Sequence, residues 1–349
     1  MHDAMAGDWS RVLIAGGAGF LGSHLCERML DQGTEVLCLD NLSTGSRANL
    51  DACTGRPGFT WIHADVTDPV DVPGPLDLVL HLASPASPVD YLGLPVETLL
   101  AGSAGTRHLL DLAAGKQARF VLASTSEVYG EPLEHPQRES YLGNVDTIGP
   151  RSVYDEAKRY AEALTTAYRR RYGTDTAIAR IFNTYGPRMR PHDGRVVPTL
   201  ISQALRDAPL TIAGDGSQTR SFCYVDDLVD GICALAASGW SGPVNLGNPE
   251  EITVLELAHR IREITGSSAP IRFVPRPEGD PSRRRPDIGL AIGKLSWEPR
   301  VSVDNGLRRT AAWFAEHTDA GCTDAGRTGE SQQDGGASAR AADAPRPTR

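Results

Sequence analysis

"RVLIAGGAGFLGSHL", Arg11 to Leu25, decides the fold of this 349-residue chain. A short apolar run enters a glycine-rich turn and then a helical pattern, and Gly16, Gly19 and Gly22 fall at a G-x-x-G-x-x-G spacing. Glycines there let the backbone approach a pyrophosphate, while the following helix offers unpaired N–H groups and the positive end of its dipole. A tight strand-to-helix turn with no ligand is the plainer reading, and Asp40 weighs against it. Asp40 closes the second apolar run 24 residues after Gly16. An acidic residue at that place hydrogen-bonds an adenine-ribose 2′-hydroxyl and repels a 2′-phosphate, which predicts NAD rather than NADP. Arg47 is near enough in sequence to oppose that choice, but it lies several residues beyond the strand end. "ADVTD", with Asp65 and Val66, is expected to close over the adenine, although an Asp at a strand end is often only a surface group.

Outward from this turn, "RVLIA", "EVLCLD", "FTWIHA", "LDLVLHLA", "ARFVLAS" and "TAIARIF" read as strands, with helical periodicity over 19–31, 96–114 and 152–172 between them. That alternation predicts an α/β fold, a Rossmann-type doubly wound parallel sheet. Beyond Asn183 the texture turns richer in Pro, Gly and Arg, with "VVPTLISQALRDA" and "VLELAHRIREIT" helical. The expected division is an N-terminal extension over 1–10, a dinucleotide-binding domain over 11–182, a smaller mixed C-terminal substrate lobe over 183–316, and a tail over 317–349. The tail is small, polar and poor in bulky apolar residues, so it is expected to be disordered.

The chain is 40% hydrophobic with a net charge of −9, the balance of a globular protein that does not bind nucleic acid. No run approaches the roughly 18 apolar residues of a membrane span, and no basic region precedes an apolar leader. Six cysteines show no C-x-x-C spacing and read as reduced thiols of a cytoplasmic protein. The nine histidines show no metal-ligand spacing, so no metal is expected.

"YDEAK" places Tyr154 and Lys158 at i, i+4 on one helix face. A lysine charge about 4 Å from the phenol would lower its pKa by about three units and make the phenolate accessible near neutral pH. The alternative is a surface tyrosine beside a cation. The pair follows the fifth strand of a dinucleotide fold, and only three of 35 cations are lysine, so a lysine placed here is conspicuous.

"GGAGFLGSHL", "STSEVYG", "YDEAKR" and "RIFNTYGPRM" together resemble the extended short-chain dehydrogenase/reductase family, which modifies nucleotide sugars. "HLASPASPVDY", "EHPQ", "GNVDTIGPRSVYDEAKR", "GDGSQTRSFCYVDDLV", "NLGNPEEITVLELA" and "RRRPDI" resemble its UDP-glucuronate decarboxylase branch, whose product is UDP-xylose. The likeness runs from about Arg11 to Phe314. Two positions depart from it, Ala157 where glycine is expected and Ala213 where an aromatic is common. The resemblance implies NAD as cofactor, a UDP-sugar substrate and a homodimer formed through the Tyr154 helix and the long helix before it. It further implies a cofactor wall of Phe20, Leu21, Asn41, Leu82, Ala83 and Ser84 beside the residues above. Ser124 would be structural or face the nicotinamide. On the substrate side it implies Pro85, Tyr91, Asn183, Arg188, Val197, Arg220 and Arg285. Asn183, Arg188 and Arg285 are candidates for the diphosphate, and Arg220 for either the diphosphate or the sugar carboxylate. By itself an aromatic such as Tyr91 is more often a packing group, and Asn183, Arg188 and Arg285 are each more often surface hydrogen-bonders or salt-bridge partners.

The chemistry implied begins with oxidation at C4, Tyr154 taking the hydroxyl proton and Thr125 sharing that hydrogen bond. A 4,6-dehydratase of this family carries an Asp where this chain has Ser126, and serine is a poor general acid. If C6 is a carboxylate, the C4 ketone stands β to it and carbon dioxide leaves without such an acid. Ser126 and Glu127 would then position the ring and manage the proton returned to C5. Glu127 as a solvated strand-end carboxylate is the simpler alternative. Four other readings remain open: an oxidative decarboxylase releasing a 4-keto-pentose, a 4,6-dehydratase, a 4-epimerase, and a catalytically silent NAD sensor.

Overall fold

A computed structural model describes residues 7–276, 281 and 283–317. The expected tail beyond 317 and the first six residues of the N-terminal extension lie outside the described residues. The six expected strands form at Arg11–Ala15 (β1), Glu35–Asp40 (β2), Phe59–His63 (β3), Leu78–His81 (β4), Arg119–Thr125 (β5) and Thr176–Ile181 (β6). A seventh strand at Pro243–Leu246 (β7), not anticipated from the sequence, joins the same sheet beside β6 from within the stretch assigned to the second lobe. The order is β7-β6-β5-β4-β1-β2-β3, and every pairing is parallel.

The period of two along a strand divides β1 between two cores. Val12 and Ile14 pack on one face of the sheet, Leu13 and Ala15 on the other. Both faces are covered, which is why these strands read as unbroken apolar runs. Chain order reverses between β1 and β4, and a crevice opens at the carboxyl ends of strands on either side of such a switch. Gly16 leaves β1 at this place and Leu82 leaves β4.

The helix after the glycine turn spans Phe20–Asp31, and that bearing Tyr154 spans Ser152–Tyr172. The helix expected over 96–114 is instead a succession: Pro95–Leu100, a π-turn at Ala101–Gly105, and Thr106–Lys116. Two glycines permit close crossings there. A Cβ on Gly102 would meet that of Ala157 at 2.7 Å, and one on Gly105 would meet Val66 Cγ2 at 2.7 Å. After Asn183 come the helices Val196–Leu205 and Val254–Thr265, with short strands between. Thr219–Ser221 is flanked by Glu251–Thr253 and Arg283–Arg284. The five described cysteines are all buried and unpaired.

Candidate active site

A cavity of about 530 Å³ lies at the carboxyl ends of the central strands, and a smaller one of about 150 Å³ adjoins it. Gly16, Gly19, Leu82 and Ser84 line both. Phe20, Leu21, Gly22 and Ser124 face the larger, and Asp40, Asn41, Asp65, Val66, Ala83 and Pro85 the smaller. Pro85, expected beside the sugar, is thus placed in the smaller cavity with Asp40.

These walls fit a dinucleotide. Gly16 has φ +81, a conformation that L side chains avoid, and a Cβ there would meet Ala83 N at 2.6 Å. A Cβ on Gly19 would meet only Gly16 O, at 3.2 Å, so the space beyond its backbone is left free for a ligand. No side chain caps the Phe20–Asp31 helix, which leaves its first N–H groups directed at the cavity. Asp40 accepts Ala18 N–H at 3.0 Å and Leu42 N–H at 2.8 Å. Burial pushes its carboxyl up against the pull of those two bonds. Arg47, the residue that could favour a 2′-phosphate, lies over the Trp61 ring at 5.5 Å. Asn41 Nδ2 donates to Asp65 Oδ2 at 2.7 Å, tying the ends of β2 and β3 together.

Thr125, Ser126, Glu127, Tyr154 and Lys158 converge on the larger cavity, together with Tyr91, Asn183, Arg188, Val197 and Arg220. Tyr154 is buried, stacked on Tyr91 with ring centroids 5.1 Å apart and planes at 11°. The expectation that Lys158 lowers its pKa is not met. Lys158 Nζ donates to Ala123 O at 2.9 Å and sits 5.9 Å from the centre of the phenol ring. Burial, with Glu127 and Tyr91 adding to it, pushes the Tyr154 phenol above its usual range, while a bond to Thr125 and the charge of Arg195 pull the other way. Burial also lowers Lys158 to about 8, against the attraction of Glu162. Ser124 donates to Glu162 at 2.6 Å, and Glu162 in turn pairs with Arg180, so the Ser124 hydroxyl is engaged beneath the site.

Glu127 departs further from expectation. Burial alone would raise its carboxyl, but Arg284, Arg151 and Arg220 overcome that and hold its pKa at about 2. Arg151 bonds it directly, Arg284 Nη2 reaches Oε2 at 3.1 Å, and Ser126 Oγ lies 3.4 Å from Oε1. An ionised carboxylate accepts a proton but has none to give.

The arginines sort differently from the sequence expectation. Arg285 is not among the residues lining either cavity, and its backbone is taken up by Gln137. Its neighbour Arg284, only 1% exposed, also lines neither cavity but bonds Glu127, which does. The two-residue strand Arg283–Arg284 pairs with Thr219–Arg220, so side chains alternate: Arg283 is exposed while Arg284 turns inward. Three consecutive arginines in "RRRPDI" gave no sign of which one points in. Arg151, three residues before Tyr154, was likewise missed, although helical spacing puts it on the same face. Asn183 Nδ2 and Arg188 Nη1 are buried donors with no partner, placed where an anionic oxygen would satisfy them. Arg188 has φ +69 and its other nitrogen pairs with Glu27 of the glycine-turn helix. Among the described residues no His, Cys, Asp and Glu group is arranged to hold a metal ion.

A dinucleotide crevice at a sheet switch point, joined to a Tyr–Lys helix and an arginine-ringed carboxylate, defines a class of nucleotide-sugar enzymes. The chain belongs to the NAD dependent epimerase/dehydratase family, whose model matches residues 12–247. It is 50% identical over 304 residues to UDP-glucuronic acid decarboxylase 1 of Arabidopsis thaliana, covering 87% of this chain and 69% of that one. It is 49% identical over 308 residues to UDP-glucuronic acid decarboxylase 1 of Danio rerio, with 88% and 73% covered. Among solved structures, the UDP-glucuronic acid 4-epimerase of Bacillus cereus, bound to UDP-glucuronic acid and NAD, superposes with a TM-score of 0.79 at 29% identity. That match covers 88% of this chain and 99% of the other. A dTDP-glucose 4,6-dehydratase from Streptomyces venezuelae, solved with NAD, gives 0.81 at 30% identity, with 89% and 98% covered.

Proposed function

We infer that this protein is an NAD-dependent UDP-glucuronate decarboxylase that makes UDP-xylose. One observation carries the reading: a tyrosine site suited to C4 oxidation adjoins a glutamate that Arg151 and Arg284 bond and that Arg220 stabilises by its charge. Arg151 and Arg220 line the larger cavity beside Glu127, and guanidiniums suit a second carboxylate, that of the sugar. Relatives about half identical over most of the chain are decarboxylases of that acid and support it. Serine at position 126 argues against a dehydratase, which needs a proton donor for the departing hydroxyl.

Bound NAD supplies a reversible hydride acceptor at C4. Tyr154 takes the C4 hydroxyl proton, oriented by Thr125, and the positive charge of Arg195 favours the phenolate. The resulting ketone is β to the C6 carboxylate, so the C5–C6 bond breaks, its electron pair passes through C5 to the C4 oxygen, and carbon dioxide leaves. A proton then enters at C5, the ketone is reduced at C4, and Tyr154 returns its proton. Over the cycle one proton is consumed, one carbon dioxide is released, and there is no net oxidation. Glu127, held ionised by its arginines, serves to align Arg151 and Arg284, and Tyr91 supports Tyr154 from behind. Asn183 and Arg188 suit the diphosphate.

The same reading extends to a cytoplasmic homodimer. The unpaired buried cysteines favour a reducing compartment. Among the described residues no helix is long and apolar enough to cross a membrane. Val96, Leu99 and Leu100 are exposed on the Pro95–Leu100 helix, which packs against the Tyr154 helix with its exposed Tyr160, and a second copy would cover that face. The test of function is incubation of the NAD-loaded protein with UDP-glucuronate, following carbon dioxide, absorbance at 340 nm and the sugar product. Stoichiometric carbon dioxide and UDP-xylose without accumulating NADH are expected. NADH accumulating in step with a 4-keto-pentose would make it an oxidative decarboxylase, and no carbon dioxide at all would end the proposal.

A further inference from the structure

"EHPQ", Glu134 to Gln137, carries no part of the chemistry above, yet Gln137 is wholly buried and spends every polar group it has. Its N–H donates to Arg285 O at 2.9 Å, its Oε1 accepts Arg285 N–H at 2.9 Å, and its carbonyl accepts Asp287 N–H at 2.8 Å. Its Nε2 donates to Glu134 O at 2.8 Å, which fixes the side chain that meets Arg285. Gln137 therefore acts as one rung of a strand laid along residues 285–287.

Asn245, on β7 and also wholly buried, completes the arrangement. Its Nδ2 donates to Gln137 O and to Asp287 O, both at 3.0 Å, and its Oδ1 accepts the Tyr129 hydroxyl at 2.7 Å. Together the two amides hold a short segment against the main sheet, one side of which is already pinned by pairing with Thr219–Arg220. Arg284 is the last residue of that pairing and directly precedes the residues the amides hold. Its Nη1 donates to Gly130 O at 2.9 Å and its Nη2 to Glu127, while its Nε is buried without a partner. A guanidinium this buried has its aim set by its backbone, and Gln137 with Asn245 sets that backbone.

We propose that Gln137 and Asn245 are positioning residues that hold Arg284 against Glu127, and through Glu127 the cavity wall, and so govern the loss of carbon dioxide rather than the oxidation at C4. The proposal rests on the decarboxylase reading. Tyr154, Thr125 and Lys158 receive no bond from either amide, whereas the residues directly after Arg284 are held by both, so loosening the bracket acts on one stage of the turnover. Misplacing a reacting group by about 1 Å costs about 10²-fold in rate.

The test is rapid mixing of NAD-loaded wild type, Gln137→Met and Asn245→Asp with UDP-glucuronate, recording 340 nm absorbance and carbon dioxide together. In Gln137→Met the Arg285 N–H loses its acceptor; in Asn245→Asp two donated bonds become contacts between oxygens. Each variant is expected to oxidise C4 at close to the wild-type rate and to release carbon dioxide about 10²-fold more slowly, so that the 340 nm signal builds several-fold above wild type. In the Gln137→Met, Arg284→Lys double variant, the loss should be no greater than for Arg284→Lys alone. Equal slowing of both signals, an unaltered ratio between them, or losses that multiply in the double variant would each overturn the proposal. Two variants that fail to fold where wild type does would make the bracket a stability element, which also overturns it. Wild type that yields no carbon dioxide sinks the decarboxylase reading itself, and the role of the bracket falls with it.

Discussion

The two walls of the cavity are built by different means. On the cofactor wall, side chains lean on nearby backbone: Asp40 on Ala18 and Leu42, Lys158 on Ala123, with the glycine turn shaped by its own dihedrals. On the substrate wall, charged side chains from distant parts of the chain hold one another: Glu127 with Arg151 and Arg284, Arg188 with Glu27, Arg190 with Asp90. The first wall is fixed by where regular strands and helices end and leaves no room for added atoms at Gly16 and Gly22. The second is fixed by charge balance and has no tolerance for a lost partner. Substitutions should therefore fail by shape on one side and by electrostatics on the other.

The largest effect is expected where the walls meet, at Tyr154. Tyr154→Phe removes only the oxygen and keeps the ring stacked on Tyr91, so stability should change little while kcat on UDP-glucuronate falls by about 10²–10⁴-fold. Carbon dioxide release and a thermal melt measure the two. Turnover above a tenth of wild type would mean that another group takes the C4 proton.

A smaller effect separates shape from packing within the cofactor wall. The new methyl in Gly19→Ala meets only Gly16 O at 3.2 Å, so the chain should fold, yet the methyl would stand where a pyrophosphate approaches. Affinity for NAD should fall by about tenfold or more, equivalent to at least about 1.4 kcal/mol. In Gly22→Ala the methyl would lie 2.1 Å from Gly16 O and 2.7 Å from Gly17 Cα, contacts between backbone segments that cannot yield. That variant should lose folded protein before it loses NAD. Titration calorimetry with melting curves distinguishes them, and equal instability in both would erase the distinction between the glycines.

The same contrast explains what was readable in advance. Strands β1 to β6, the glycine turn, Asp40 and the Tyr154–Lys158 face follow from periodicity, because their placement depends on residues a few positions away. β7 was hidden in a Pro- and Gly-rich stretch, since only pairing with β6 makes "PVNL" a strand. Arg284 was hidden among like neighbours, because strand register decides which of three arginines points inward. The expected effect of Lys158 on Tyr154 failed for a related reason. Spacing i, i+4 places two side chains on one face, but Lys158 spends its ammonium on the end of β5, and burial then dominates the phenol. Periodicity specifies which face a residue occupies, and tertiary partners specify what its charge does there.

The subtlest test lies behind the substrate wall, at Asp155. This side chain is buried and its Oδ1 has no hydrogen-bond partner. Burial first, and the Glu127 charge second, raise its carboxyl to about 7, with Arg151 and Arg284 opposing. The folded state therefore holds a proton that the unfolded chain, with a carboxyl near 4, gives up. Stability from this group is fully present below about pH 4 and is lost as pH rises through 7, at a cost on the order of a few kcal/mol. Asp155→Asn removes the titration and keeps the shape. Its melting temperature should exceed that of wild type by several degrees above pH 7, and the gap should close as pH falls toward 4. Thermal melts between those limits measure it. A gap that stays constant with pH would show that Asp155 does not titrate in this range, and that the arginines around Glu127 neutralise both carboxylates rather than one.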